Sequence, residues 1–323
     1  MAVLHHNAAG GIIISASHNP GEWNALKLLN EKSEFLDAEQ GAKVLELADS
    51  PEALPFKDAF NLGQISEDSR AVGRHIEAIM ELDYIHPAQI AHRKFKVGID
   101  AVNGAGSHAI PALLKELGCE VEALYCEPNG HFPHNPEPLK EHLGDICALV
   151  KEKGLDIAFV VDPDADRLAV VGSNGELWGE EYTQAAAFDF YLSHFQTDVA
   201  TNLSSSRVCD DVAAKYGRNC HRSAVGEINV VKVMQKEGAQ LSGEGNGGVI
   251  APDIHPGRDS LIGIAMILQL LAERELDATS YRNTLPNYFM AKNKLQLDTL
   301  GIKADLLLQK ATEYYAQQNP NTV

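Results

Sequence analysis

The sequence predicts an α/β protein of consecutive domains, each a mixed, mostly parallel sheet with helices on both faces. Two observations carry this. Between residues 96 and 161, short apolar runs of strand length alternate with stretches of helical periodicity. Such alternation implies a parallel sheet, because each parallel crossover needs a connecting helix. From about residue 179 the alternation starts again, so one kind of domain is expected twice, although no sequence repeat is evident. At 323 residues the chain is long enough for two or three domains with a substantial core.

Taken in order, Ile12-Ile13-Ile14 reads as a buried strand that runs into the polar turn Ser15-Ala16-Ser17-His18-Asn19-Pro20. A helical pattern over 38–48 is followed by a polar, Pro-containing stretch over 49–64. Residues 65–83 read as a helix at a domain edge, with Ile76, Ile79, Met80 and Asp83 at helical spacing. A boundary is placed near 84–92. The first α/β unit then has strand 96–100, a glycine turn over 103–106, helix 109–117 and strand 120–125. It continues through a proline-rich loop (128–138), helix 143–153 and the apolar strand 157–161. The second has helix 183–195, strand 199–203, helices 208–216 and 227–237, a glycine loop over 242–248 and helix 261–274. A strand-like piece after residue 291 and a helix over 304–318 close the chain.

Composition bounds the partners. A formal net charge of -18 argues against a nucleic-acid backbone or an anionic membrane. It leaves room for a phosphorylated substrate, since a metal or a local group of donors inverts the field inside one cleft. The five cysteines (119, 126, 147, 209 and 220) are odd in number and lack C-x-x-C spacing, which reads as reduced thiols in a cytoplasmic protein. No apolar run approaches the ~20 residues of a membrane span, and the first residues lack a signal-peptide pattern.

Three motifs carry chemistry. Ser17, held at a strand end and flanked by His18 and Asn19, suits a covalent relay, with Asn24 and Lys27 as a hydrogen-bonding group and a proton carrier; an ordinary Ser/Asn turn is the plainer alternative. Asp162-Pro163-Asp164-Ala165-Asp166-Arg167 follows an apolar strand. Alternation along an extended segment would bring its three carboxylates together around Mg²⁺. It fails as a calcium EF-hand, with Arg167 at the sixth position and Ser173 at the twelfth. The run Gly243-Glu244-Gly245-Asn246-Gly247-Gly248 offers Glu244 and Asn246 to a polyhydroxylated ligand, or is a flexible turn. A rival reading is a dinucleotide fingerprint at Gly104-Ala105-Gly106-Ser107-His108-Ala109, with Glu127 ending the next strand, which would make the chain an NAD-dependent dehydrogenase. In His255-Pro256-Gly257-Arg258-Asp259 the side chains line a cleft or cap the following helix, and Asp259 is expected to cap.

At these residues the chain resembles the α-D-phosphohexomutases, the phosphoglucomutase/phosphomannomutase family. SASHNP resembles the phosphoserine loop, DPDADR the metal loop and GEGNGG the sugar-recognition loop; DAVNGAG and NPEP (135–138) also match. The resemblance removes the dinucleotide reading and implies consecutive α/β domains like the family's first three. Domain 1 would be partial, over 1–83, followed by a metal-loop domain over 84–178 and a sugar-loop domain over 179–290. The start of a phosphate-binding domain 4 would occupy 291–323. It implies Ser17 as the phosphorylated nucleophile, and Asp162, Asp164 and Asp166 holding one Mg²⁺ with the Ser17 phosphate. Arg167, His18, Asn24 and Lys27 would support transfer, while Glu244, Asn246, Gly226 and Glu227 would face the sugar. A hexose 1,6-bisphosphate would be the intermediate and activator. The early part of domain 1 and the phosphate-clamping loop of domain 4 are expected to be missing, and this polypeptide alone is expected to turn over little or not at all. Asn246, Gly248 and Glu227 depart from common family residues, so glucose, mannose and glucosamine phosphates all stay open, as does a non-catalytic phosphosugar-binding fragment. The oligomeric state is not readable from the residues.

Overall fold

The computed structural model describes residues 1–50, 52, 54–290, 301 and 303–318. The chain forms two units, Met1–Tyr288 and Phe289–Val323. The first begins with the single-turn helix α1 (Ala2–His5) and a hairpin of β1 (Gly11–Ile14) and β2 (Leu26–Leu29), in which Ile14 pairs with Leu26 and Gly11 with Leu29. The expected burial of this strand does not hold, because Ile12 is 67% and Ile14 72% exposed. The reason is the size of the sheet: with two strands it covers neither face by itself. The hairpin instead presents Ser17 from its connecting loop and Lys27 from β2.

α2 (Ala38–Asp49) starts at a capping box made by Asp37 and Gln40. α3 (Ala71–Met80) is shorter than the helix expected over 65–83, and Ile65 is fully exposed. No apolar contact holds the preceding residues in a helix; Ile76 and Ile79 are the ones that bury. α4 (Pro87–Arg93) fills the expected boundary, with Pro at its first turn, where the missing N–H costs nothing.

Next come β3 (Lys96–Asp100), α5 (Gly106–Glu116), β4 (Glu120–Leu124), α6 (Gly144–Lys153), β5 (Ile157–Val161) and β6 (Leu168–Gly172). The sheet order is β4-β3-β5-β6, parallel except for β6, which turns back antiparallel along β5. The second set is α7 (Glu181–His194), β7 (Val199–Asn202), α8 (Val208–Lys215), β8 (Cys220–Ser223), α9 (Glu227–Glu237), β9 (Leu241–Glu244) and β10 (Gly248–Ile250). Its order, β10-β9-β7-β8, is the same topology: the first strand between second and third, the fourth antiparallel beside the third. The glycine loop thus belongs to a β-hairpin, and β6 and β8 are strands the sequence did not separate.

α10 (Ser260–Arg274) is buried from Ser260 to Ala272 and packs against α7 and α4, as a helix apolar on all sides must. α11 (Ala278–Thr284) follows. Asp189, fully buried on α7, receives Lys215 and Tyr216 on Oδ1 and Arg274 and Tyr281 on Oδ2. Burial opposes its charge, but Arg274 and Lys215 outweigh that and hold the carboxyl at about 2. The second unit contains α12 (Ala304–Gln318); the strand-like piece expected after residue 291 lies outside the described residues.

The turn between β3 and α5 is seated on the loop after β5, with Ala105 N–H donating to Pro163 C=O at 2.7 Å. That N–H is one a pyrophosphate would need, so this turn supports the carboxylate loop instead of a dinucleotide. A Cβ at Gly104 would stand 2.5 Å from the Pro163 carbonyl oxygen. Gly104→Ala is therefore expected to cost about 1–3 kcal/mol in a urea unfolding titration, because backbone has to move.

Candidate active site

The three aspartates sit where β5 reverses into β6. The segment is a tight turn, with Ala165 left-handed at φ 56°, and not the extended stretch the alternation argument assumed. The carboxylates converge all the same, their ligand atoms lying within 4.8 Å of one another. Asp162 Oδ1 accepts the N–H groups of Asp166 and Arg167 at 3.1 and 3.0 Å, which fixes the turn from inside. Burial, then the charges of Asp166 and Asp164, push the Asp162 carboxyl well above the usual range.

Cations answer this charge. Lys27 Nζ donates to Asp164 Oδ2 at 2.5 Å and to Asp166 Oδ2 at 3.0 Å. Burial disfavours the ammonium, but Asp166 and Asp164 outweigh it and keep Lys27 charged above its ordinary range. Asp164 is likewise opposed by burial and is held low by Lys27. Arg258 Nη2 donates to Asp166 Oδ2 at 2.7 Å, while Asp164 Oδ1 and Asp166 Oδ1 are buried without a hydrogen-bond partner. Two unpaired hard oxygens beside a third, poorly ionised carboxylate form a donor set that fits Mg²⁺.

Ser17 lies at the mouth of this cluster. Its backbone is left-handed at φ 52°, and its N–H donates to Ser15 Oγ, which donates in turn to Asp164 Oδ2. Ser17 Oγ reaches Asp162 Oδ2 at 3.3 Å and His18 Nδ1 at 3.3 Å. Arg167 Nη2 stands 3.3 Å from His18 Nε2. A guanidinium only donates, so Nε2 accepts and Nδ1–H is left to face Ser17. Burial, then Arg167, push the His18 imidazole below its usual value, in keeping with a neutral ring. Glu137, from the NPEP run, accepts Arg167 Nη1 at 3.2 Å and steers that side chain; it had no assigned role in the sequence.

Arg258 is the residue whose part the sequence left open. Besides Asp166, it donates from Nε to Glu227 Oε2 at 2.8 Å and pairs through Nη1 with Glu244 Oε2 at 3.0 Å. Asp259 beside it caps α10 as expected, accepting the N–H of Leu261 and of Ile262. Glu244 also accepts Asn202 Nδ2 at 2.8 Å. Asn246 turns its Oδ1 to the N–H of Gly248, and Gly226 is the N-cap of α9 at φ 116°. Asn24 is exposed in the β1–β2 loop, two residues before β2, and its Oδ1 accepts the N–H of Ala25. A cavity of about 170 Å³ between the hairpin and the Arg258 loop is lined by Lys27, Asp164, Asp166, Glu227 and Arg258 among others.

Burial pushes the Glu227 carboxyl up from 4.5 to about 7, against the pull of Arg258. The folded state then holds a proton the unfolded chain has already lost. Its contribution to stability is complete below about pH 4.5 and is lost as pH rises through about 7. In metal-free buffer Glu227→Gln should flatten the decline in unfolding free energy across that window, by on the order of 3 kcal/mol.

Three family models match the chain, the phosphoglucomutase/phosphomannomutase α/β/α domains I, II and III, over residues 1–54, 73–175 and 179–289. A phosphoglucomutase/phosphomannomutase of Thermococcus kodakarensis is 35% identical over 92% of this chain and 65% of its own length. A probable phosphoglucosamine mutase of Methanosarcina barkeri is 31% identical over 92% of this chain and 69% of its own. The chain thus spans about two thirds of the length of these relatives. Among solved structures, a phosphoglucomutase/phosphomannomutase family protein of Burkholderia thailandensis aligns at a TM-score of 0.74 and 26% identity, over 86% of this chain and 58% of that one. A phosphomannomutase-like protein of Thermus thermophilus shares the fold at a TM-score of 0.75 and 23% identity, over 88% and 64% of the two chains. With the same three domains in the same order, this chain belongs to the phosphoglucomutase/phosphomannomutase family of α-D-phosphohexomutases.

Proposed function

We propose that the chain works as a phosphohexomutase, interconverting hexose 1-phosphate and hexose 6-phosphate through phosphorylated Ser17 and a hexose 1,6-bisphosphate. The observation that carries this is the placing of one strained serine hydroxyl against three converging carboxylates and their cations. Asp162, Asp164 and Asp166, with the Ser17 phosphate, would hold one Mg²⁺. When bound, that ion supplies charge neutralisation for the moving phosphoryl group.

The remaining work falls to the chain's own groups. His18 Nδ1–H and Asp162 Oδ2 hold the direction of Ser17 Oγ, which reduces the freedom the hydroxyl has to lose before transfer. The Ser17 Oγ–P bond breaks as a sugar oxygen bonds to phosphorus, with the sugar hydroxyl giving up its proton and Ser17 Oγ gaining one; transfer from the other end of the bisphosphate reverses these changes. Arg167, steered by Glu137, lies at the serine to neutralise the transferring oxygens. Lys27 is held protonated by its carboxylates, which favours an acid or electrostatic part over that of a base. Glu244, Asn246, Gly226 and Glu227 would take sugar hydroxyls, for which Arg258 has to yield some of its contacts. Asn24, in the same loop as Ser17, would add a hydrogen-bonding amide.

The domain division 1–83, 84–178, 179–290 and 291–323 is part of this reading, with phosphoserine, metal, sugar and phosphate parts in that order. So is a cytoplasmic setting, supported by five free cysteines and by the lack, among the described residues, of a helix long and apolar enough to cross a membrane. Glucosamine phosphate is the second substrate reading, favoured by the several relatives of 28–31% identity named probable phosphoglucosamine mutases.

Incubation with glucose 1,6-bisphosphate and Mg²⁺ should add one phosphate to the intact mass of the protein, and none to Ser17→Ala. Equal loading of the variant would sink the serine relay. Turnover by the 323-residue polypeptide alone is expected to be slight; coupled assays on glucose, mannose and glucosamine 1-phosphates check this, and full-rate conversion would overturn it.

A further inference from the structure

A second group of metal-ligating side chains lies apart from the aspartate loop. His75 on α3, His255 in the loop before α10 and Asp259 at the α10 N-cap bring ligand atoms within 4.8 Å of one another. His75 Nε2 is 2.7 Å and His255 Nε2 3.4 Å from the same oxygen, Asp259 Oδ2. In a tetrahedral zinc site with bonds near 2 Å, donor atoms stand roughly 3.3 Å apart. His255 already stands at that separation from Asp259, whereas His75, now hydrogen-bonded to the carboxylate, has to draw back by about half an ångström to admit a cation. Asp259 is aimed as well, because Oδ1 is held by the N–H of Leu261 at 2.8 Å, leaving Oδ2 to the imidazoles. The two rings meet edge to face at 5.9 Å. Their side chains are 18% and 17% exposed and that of Asp259 4%, so the carboxylate is buried while the imidazoles keep some contact with solvent.

We propose that His75, His255 and Asp259 form a site for one zinc-class divalent cation, with the fourth position open to solvent. Two imidazole nitrogens and one carboxylate suit a borderline cation, whereas Mg²⁺ prefers the all-oxygen set of the aspartate loop. Each imidazole binds through the Nε2 lone pair, so a proton now on Nε2 moves to Nδ1 or, from an imidazolium, to solvent, and uptake competes with protonation. The cation ties α3 to the loop that carries Arg258, and Arg258 grips Asp166, Glu227 and Glu244. It would be a positioning site, setting the Arg258 loop without touching the reacting groups.

The test uses chelator-treated protein in saturating Mg²⁺, titrated with Zn²⁺ in a calorimeter and with Co²⁺ by visible absorption. One equivalent of Zn²⁺ and a tetrahedral Co²⁺ spectrum are expected. His75→Ala and His255→Ala should each weaken binding at least about tenfold, while Asp164→Asn leaves it unchanged. Circular dichroism confirms that the variants fold. If His75→Ala does not, His255→Gln and the Co²⁺ spectrum of the unaltered protein decide. No uptake, or uptake indifferent to the histidines, overturns the proposal.

Discussion

The arrangement turns on one buried guanidinium. Arg258 is about 10% exposed and is shared by Asp166 after β5, Glu227 at the start of α9 and Glu244 at the end of β9. Removing a charge of this kind leaves its partners unpaired in a poor solvent, a change worth about 3–5 kcal/mol where such pairs have been broken. Both hairpin loops, 162–167 and 245–247, occupy the same place in their sheets, between third and fourth strands. Arg258 joins the two. The twice-built topology thus brings two equivalent loops together, and Arg258 bridges them beside a close backbone approach, since a Cβ at Gly247 would run into the Leu168 carbonyl oxygen.

The hairpin that carries Ser17 is held differently. Its apolar residues are largely exposed, so dispersion contributes little. Polar contacts dominate: Lys27 and Ser15 on the aspartate loop and, in the segment that follows β2, Glu34 with Gln235 and Asp37 with Lys232. Such attachment is ordered but shallow, of the sort from which locally opening segments are drawn.

Much of the fold is legible because β3, β5 and β7 are short runs of strand length, α9 and α12 have helical spacing, and the apolar run of α10 is too long for a strand. β6 is not, since Leu168-Ala169-Val170-Val171 follows the charged turn without a separating helix, and antiparallel return needs none. Burial of Ile12 and Ile14 was misjudged because strand character does not reveal how many neighbours a strand will have. Within the site, the aspartates and Ser17 announced themselves by composition. Arg258 did not: it lies 92 residues from Asp166, and nothing local distinguishes a cleft arginine from a capping-loop one.

Ser17 adopts a left-handed backbone, at φ 52°. For a residue with a β-branched side chain this region is a true outlier, costing roughly 1–2 kcal/mol more than ordinary backbone. For the proposed relay threonine would supply an alcohol oxygen as serine does, yet its extra methyl would strain the loop that carries it. Chemistry alone would accept either alcohol here; it is the turn of the main chain that admits the primary one and turns away the secondary.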